Sequence, residues 1–227
     1  MISNSYLFET VIGELKEGLK EYLFSNIVPL YYKFDKAHDK KHAMEVLNFS
    51  LKIANLRKEK LDPNLLYANA LYHDVGLMVN REEHEIHSSK YVLADKNLHR
   101  WFSKEEIQLI ANSCIEHRSS SKRRPKTIYG MILSDADSSG SFNINRLMER
   151  TWNYRKSLFP NQTKEDRFEE MYDHVQRKFC KGGYIEMWLP ETKQMLKYDL
   201  AQLDRCCQNK KLTINILNKM LKSGQLS

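Results

Sequence analysis

Histidines and aspartates recur along the first 140 residues in the pattern of a metal site. Imidazole nitrogen and carboxylate oxygen are the usual protein ligands of hard and borderline divalent ions. The adjacent pair His73 and Asp74 matters most, because neighbouring side chains at the end of a helix can approach one ion from the same backbone corner. The other ligand types come singly from separate segments, as in catalytic sites that keep positions for water and substrate. The whole series is His42, His73, Asp74, His84, His87, His117, Asp135 and Asp137.

The segments that carry these residues have the periodicity of helices, with few alternating β-branched runs. Asp62 and Pro63 are a helix N-cap and a first-turn residue. We expect the helix that they open to end near His73 and Asp74, with Gly76 supplying the stop.

A capping-box signature, Ser103 to Glu106, opens a further helix that should end at His117. Thr163 can cap another. Helical patterns also predict helices over residues 3–24, 142–157, 163–181 and 191–220. The predicted fold class is therefore all-α.

Length and composition restrict the class of protein. The 227 residues, 41% hydrophobic and 29% charged, suit one large globular domain or a domain with an appendage. No apolar run approaches the roughly 18 residues that a membrane span needs. The N-terminus lacks the pattern of a signal peptide. We therefore expect a cytoplasmic protein without a membrane partner, and free thiols at its four cysteines, Cys114, Cys180, Cys206 and Cys207.

The order of these residues resembles the HD superfamily of metal-dependent phosphohydrolases, over roughly residues 25–140. That family has a His on one helix, a His-Asp doublet on the next and an Asp on a later helix. Here His42, the doublet His73-Asp74 and the Asp135-Ala136-Asp137 segment follow that order. The resemblance implies an HD-domain helical bundle over residues 1–140. Beyond about residue 140 the metal-ligand residue types fade while helical patterns continue, so we expect residues 141–227 to be a helical extension that packs on the bundle as one structural unit.

The resemblance also implies a ligand set and a chemistry. One or two divalent ions (Mn, Mg, Fe, Co or Ni) would bind, and a bound ion makes hydroxide available near neutral pH and neutralises phosphoryl charge. Asp74, His87 and His117 would serve catalysis. The implied metal ligands are His42, His73, Asp74, His87, His117 and Asp137.

Two positions stay open at the level of the sequence. Asp135 and Asp137 point about 200° apart on a helix, so only one of them can enter the site; the family pattern favours Asp137 and leaves Asp135 a structural role. His84 lies three residues before His87 and is an alternative member of the site. Leu77 replaces a Lys that some cyclic-dinucleotide phosphodiesterases carry, and this disfavours that subgroup.

Five cations and no acid follow His117 between Arg118 and Lys126, within a formal net charge of +7. The segment is either a solvated loop or a phosphate clamp, since arginine binds phosphate oxygens bidentately. The predicted substrate-binding residues are Arg118, Lys122 and, at the pocket rim, His38.

Three functions fit these observations. The first is a phosphohydrolase whose partner is a small phosphorylated molecule, a nucleotide or another phosphomonoester or phosphodiester. The second is a non-catalytic sensor that binds metal and nucleotide. The third, suggested by the charge, is a nuclease or nucleic-acid binder, which would show a steep dependence on salt. The C-terminal helices could also support a homodimer.

Overall fold

The computed structural model describes residues 14–35, 38–121 and 123–226. Over these residues the regular structure is helical and no strand occurs, which confirms the all-α prediction. Short 3₁₀ or π segments cover Leu23–Ile27, Val28–Lys33, Val75–Met78, Lys96–Arg100 and Ser119–Ser121. The α-helices of the described residues are α1 Leu19–Tyr22, α2 Lys40–Asn55, α3 Pro63–Tyr72, α4 His84–Ala94, α5 Lys104–Glu116, α6 Ile128–Ser139, α7 Ile144–Leu158, α8 Lys164–Phe179, α9 Pro190–Met195, α10 Lys197–Gln208 and α11 Lys210–Lys222.

The chain divides into two compact units. The first contains Met1–His117 and Pro125–Leu133, and the second contains Arg118–Arg124 and Ser134–Ser227. None of the described helices combines the length and the apolarity that a membrane crossing requires.

Helix α3 is the centre of the first unit. Nine of its ten residues are buried, which is the pattern of a helix surrounded by others. It packs against α2 and α5, and α5 packs against α4. The core between these helices is aliphatic and includes Leu47, Ile53, Leu66, Leu71, Val92 and Ile110.

The helix starts confirm the predicted capping signals. The Asp62 carboxylate accepts the Asn64 N–H at 2.8 Å, with Pro63 in the first turn of α3. Ser103 and Glu106 form both bonds of a capping box at α5. These caps satisfy N–H groups that a helix start leaves without partners.

Gly76 is not the predicted stop of α3, because the helix already ends at Tyr72 and the φ of Gly76 is not among the positive values. A Cβ at this position would lie 2.1 Å from the His84 carbonyl oxygen and 2.5 Å from the Ser88 nitrogen. The Gly76 N–H also donates to Ser88 Oγ at 2.8 Å. Glycine is therefore needed here for close approach of two backbones.

Helices α7, α8, α10 and α11 pack together in the second unit. Its core contains Trp152, Phe168, Met171, Leu203 and Leu217. Arg167 is buried in this unit, stacks over the Trp152 ring at 4.9 Å and donates to the Phe159 and Gln162 carbonyls.

Helix prediction failed in two places. The single helix expected over residues 191–220 is three helices, interrupted at Leu196 and at Asn209, whose side chain accepts the Leu212 N–H as a new N-cap. In the expected helix over residues 3–24, residues 3–13 lie outside the described part, residues 14–18 are not helical and α1 begins only after Gly18 at φ 74°.

The prediction of free thiols is wrong for two of the four cysteines. Cys180 and Cys207 form a disulfide, whereas Cys114 and Cys206 are free and buried. The pair is 27 residues apart in sequence, and it meets because α8 and α10 pack side by side. The prediction was based on the expected cytoplasmic context, and the sequence does not show that these two helices become neighbours.

Candidate metal centre

Four histidines surround the Asp74 carboxylate within the first unit. His42 and His73 face one oxygen, with their Nε2 atoms 3.6 and 3.1 Å from Oδ2. His84 and His117 face the other, with Nε2 atoms 3.4 and 3.5 Å from Oδ1. Within each pair the two Nε2 atoms lie 3.3 Å apart. Each carboxylate oxygen therefore forms a small triangle with two imidazole nitrogens.

These triangles have the dimensions of a metal ligand set. Nitrogen and oxygen ligands about 2.0–2.2 Å from one ion lie roughly 3–3.5 Å from each other. The three atoms on the Oδ2 side and the three on the Oδ1 side both meet this spacing closely. The cluster is thus consistent with a metal site, and its donor atoms fit divalent ions.

Backbone carbonyls fix the tautomers of three histidines. When Nδ1–H donates to a carbonyl, Nε2 keeps its lone pair, and here Nε2 is the atom that faces Asp74. Each of these Nδ1 atoms bonds the carbonyl three residues earlier: His73 to Ala70 at 2.8 Å, His84 to Arg81 at 2.9 Å and His117 to Cys114 at 2.6 Å. The rings are therefore held with their ligand atoms pointing inward.

The electrostatics favour the protonation states that a metal site requires. Burial by itself would raise the pKa of Asp74, but the charge of His73 and the Nε2–H bonds of His117 and His73, which these rings provide in their protonated form, hold that pKa well below its usual value. Burial lowers the pKa of His84, and the neighbouring His117 lowers it further, against the attraction of Asp74. An ionised carboxylate and a neutral imidazole are the forms that bind metal.

Each member of the cluster lies at or near a helix end. His42 is in the first turn of α2, where the Asp39 carboxylate accepts its N–H at 3.1 Å. His73 continues α3 in helical geometry, whereas Asp74 leaves it at φ −110° and ψ 5°. His84 begins α4, and His117 follows the last residue of α5. The adjacent pair approaches from one backbone corner, as predicted.

The helices that carry the cluster match a known family. Residues 40–139 match the family model described as HD domain. These residues form an HD domain. The resemblance noted in the sequence is thereby confirmed for this part of the chain.

One solved structure is also similar. It is described as a predicted HD superfamily hydrolase from an uncultured Thermotogales bacterium, and it is 25% identical to this chain. The match covers 70% of this chain and 90% of that one, with a TM-score of 0.49. Among curated proteins, no match was found.

Tyr31 supports the HD domain's doublet from outside the matched residues, and it is not among the site residues predicted from the sequence. The ring is fully buried. Its hydroxyl accepts the Asp74 N–H at 3.3 Å, donates to the Leu71 carbonyl at 3.1 Å and lies 3.5 Å from His73 Nδ1. Tyr31 therefore positions the backbone on which both residues of the doublet are carried.

His84, whose membership of the site the sequence left open, lies in the cluster around Asp74. His87 is half-buried on the same helix. In the part of the chain that the structure describes, its ring has no hydrogen bond or ion pair with the histidines around Asp74, so its role stays a prediction. Only the packing of α4 shows which of His84 and His87 faces Asp74.

The three predicted substrate-binding residues have different positions. His38 lies 3.1 Å from Asp35 Oδ1, and its ring stands edge-on to His42 at 5.8 Å, which fits a place beside the cluster. Burial is the main cause that lowers the pKa of His38. Arg118 is half-buried and its Nε donates to Ser120 Oγ at 3.0 Å. Lys122 lies outside the described residues.

Asp135 and Asp137 belong to the second unit. The buried Asp135 carboxylate accepts the Trp188 and Leu189 N–H groups at 2.8 and 3.0 Å, so it has the structural role considered for it. Burial raises its pKa, against these bonds. Asp137 is half-buried and opposes the lowering of the Lys178 pKa by burial. Its place in the ligand set stays a prediction from the sequence.

Proposed function

We propose that the protein is an HD-type metal-dependent phosphohydrolase that acts on a small phosphorylated molecule, a nucleotide or another phosphomonoester or phosphodiester. One observation carries the proposal: a buried, ionised carboxylate lies between two pairs of inward-facing imidazoles. Within an HD domain this donor set supports hydrolysis that depends on divalent ions.

The arrangement favours two ions over one. His42, His73 and Asp74 Oδ2 would hold the first, and His84, His117 and Asp74 Oδ1 would hold the second. Asp137 is the further ligand that the sequence predicts. Bound divalent ions lower the pKa of coordinated water and neutralise charge on phosphoryl oxygens. Imidazole and carboxylate ligands are compatible with Mn²⁺, Mg²⁺, Fe²⁺, Co²⁺ or Ni²⁺.

The protein's own contribution is to hold this centre ready for its ligands. Asp74 is 2% exposed and His73 is fully buried, so little water competes for their ligand atoms. Carbonyl bonds fix the rings before any ion binds. Tyr31 fixes the backbone of the doublet. A preorganised site loses little conformational freedom on binding its metal or its substrate.

Elemental analysis and a phosphate-release assay test the proposal together. The protein is purified without chelator or metal-affinity resin, and wild type is compared with Asp74→Asn. The matched control is Asp204→Asn, an exposed carboxylate on α10. We expect two divalent ions per wild-type chain and fewer than one in Asp74→Asn. Phosphate release should fall more than 100-fold, since even residues that only support metal ligands cost about 10- to 100-fold.

The alternatives give different results in the same experiments. If the protein binds metal and nucleotide but releases no phosphate, the non-catalytic sensor is favoured over the phosphohydrolase. Absence of metal after reconstitution with each candidate ion would contradict the proposal as a whole.

A further inference from the structure

A cavity of about 550 Å³ opens in the first unit beside the start of α2. Drug-sized and cofactor-sized ligands occupy cavities of about 300–1,000 Å³. The walls combine aromatic rings, a thioether and ammonium groups, contributed by Tyr31, Tyr32, Phe34, Met44, Lys40 and Lys41. None of these residues is in the cluster around Asp74, so the cavity is an additional feature.

Two wall residues of the cavity also contact the cluster around Asp74. Tyr31 lies between the cavity and the cluster, because its hydroxyl accepts the Asp74 N–H at 3.3 Å while its side chain forms part of the cavity wall. Asp39 also lines the cavity, and its carboxylate accepts the His42 N–H at 3.1 Å. The cavity is therefore adjacent to the cluster, with Tyr31 and Asp39 in contact with both.

The ring of Tyr32 is exposed but held in place. Its relative exposure is 67%, so one face of the ring is available to a ligand. Lys40 Nζ lies 3.1 Å from its hydroxyl and 5.4 Å from its ring centroid. Phe34 is fixed edge-on against Tyr31, with centroids 5.2 Å apart. An ordered, exposed ring of this kind offers a face for stacking.

We propose that this cavity binds the base of a nucleoside phosphate. The inference rests on the proposed function, because the phosphate is assigned to the metal centre. Flat heterocycles stack on aromatic side chains whatever the base. Lys40 and Lys41, which line the same cavity, complement the negative charge that a nucleotide carries. A sugar phosphate without a base would leave the exposed Tyr32 ring uncovered, so we expect the site to prefer nucleotides.

Calorimetric affinities of the Mn²⁺-loaded protein for AMP and ribose 5-phosphate test the proposal, since the two probes differ only by the base. We expect wild type to prefer AMP by about tenfold or more and Tyr32→Ala to lose most of that preference. Tyr32→Phe keeps the ring and should keep the preference. The control is Tyr198→Ala, which removes a tyrosine of the second unit that is 78% exposed.

Equal affinities for the two probes in wild type, or a preference that survives Tyr32→Ala, would overturn the base site. Loss of the preference in Tyr32→Phe as well would overturn the stacking role of the ring. If the probes are hydrolysed during the titration, KM values for phosphate release replace the calorimetric affinities, and the comparison between AMP and ribose 5-phosphate is unchanged. If no phosphate is released while Tyr32→Ala abolishes the AMP preference, the proposed hydrolysis fails and the base site stands.

Discussion

His84 and His87 lie one helical turn apart on α4, yet their surroundings differ. His84 Nε2 is 3.3 Å from His117 Nε2 and 3.4 Å from Asp74 Oδ1. We therefore predict that His84→Ala lowers the bound metal from two ions to about one per chain and reduces phosphate release by 100-fold or more. His87→Ala should keep both ions. Elemental analysis of the two variants, alongside wild type, makes the measurement.

The same comparison tests whether His87, the ligand implied by the family resemblance, binds metal. If His87→Ala loses an ion and His84→Ala retains it, the ligand triangle on the Oδ1 side is wrong. Retention of two ions by both variants would mean that Asp74 and His117 alone suffice on that side. His99→Ala, which changes an exposed histidine, controls for general effects on folding.

Most of the site could be predicted from the sequence because its members are tied to local signals. Four of them lie next to a helix end that a capping residue or a break in periodicity marks in the sequence: His42, His73, Asp74 and His117. His84 and His87 share one helix, so only the packing of α4 decides between them. The Tyr31 hydroxyl accepts the N–H of Asp74, which is 43 residues away in sequence, and no local sequence pattern predicts such a contact.

At the scale of elements, Gly76 lets the turn after α3 approach α4. Its missing Cβ would lie 2.1 and 2.5 Å from backbone atoms of His84 and Ser88, neither of which can rotate away. We predict that Gly76→Ala destabilises the fold by about 1–3 kcal/mol, the usual cost of overpacking. The gain that alanine brings by restricting the unfolded chain is below about 1 kcal/mol, so the clash should win.

The clash in Gly76→Ala should push α4 away from the turn. Because α4 carries His84, the substitution should also weaken metal binding. Denaturant unfolding gives the first effect, and metal titration of the folded variant gives the second. Gly140→Ala is a suitable control, because an added Cβ there would meet nothing nearer than 3.4 Å. Unchanged stability and metal affinity in Gly76→Ala would show that the two backbones separate at little cost.

Helix α8 contains a histidine, His174, whose lowered pKa predicts that the fold is less stable in acid. Burial, and then the cations Lys178, Arg155 and Arg177, lower the pKa of His174 to about 4. An unfolded histidine titrates near pH 6.5, so between about pH 6.5 and 4 the unfolded chain binds more protons. The contribution of neutral His174 to stability is complete above that range and is lost as the pH falls through it.

We predict that His174→Gln flattens the acid side of the stability curve. Denaturant unfolding at pH 7 and pH 4.5 should show a smaller loss of stability in the variant than in wild type. The comparison with wild type removes the contribution of the other titrating groups, which both proteins share. The control is His99→Gln, which changes an exposed histidine. Equal losses in wild type and His174→Gln would mean that the ring is hydrated and takes up its proton without cost.

The elements were predictable where capping and periodicity agree, as for α3, α5 and α8, whose N-caps Asp62, Ser103 and Thr163 all accept backbone N–H bonds. They were not predictable where one amphipathic run is interrupted without proline or glycine, as at Asn209. The disulfide Cys180–Cys207 depends on which helices become neighbours. Periodicity shows that a face is apolar but does not identify its partner.

At the scale of the whole molecule, the net charge of +7 permits two kinds of anionic partner. A polynucleotide that contacts 6–10 cations releases as many counterions, and its affinity falls by about 10³–10⁵ between 50 and 200 mM salt. A mononucleotide has about two charges to neutralise, so the same change should cost roughly tenfold or less. The salt dependence of binding therefore distinguishes the proposed phosphohydrolase from a nuclease.

We predict that the Mn²⁺-loaded protein binds AMP with this shallow dependence and binds a single-stranded 20-mer no more tightly than AMP at 200 mM salt. Fluorescence competition at both salt concentrations measures the two affinities. The cavity beside α2, at about 550 Å³, has the size of a site for one small ligand. A 20-mer that binds more tightly than AMP at 200 mM, with a steep salt slope, would instead require several phosphate contacts and would favour the nuclease.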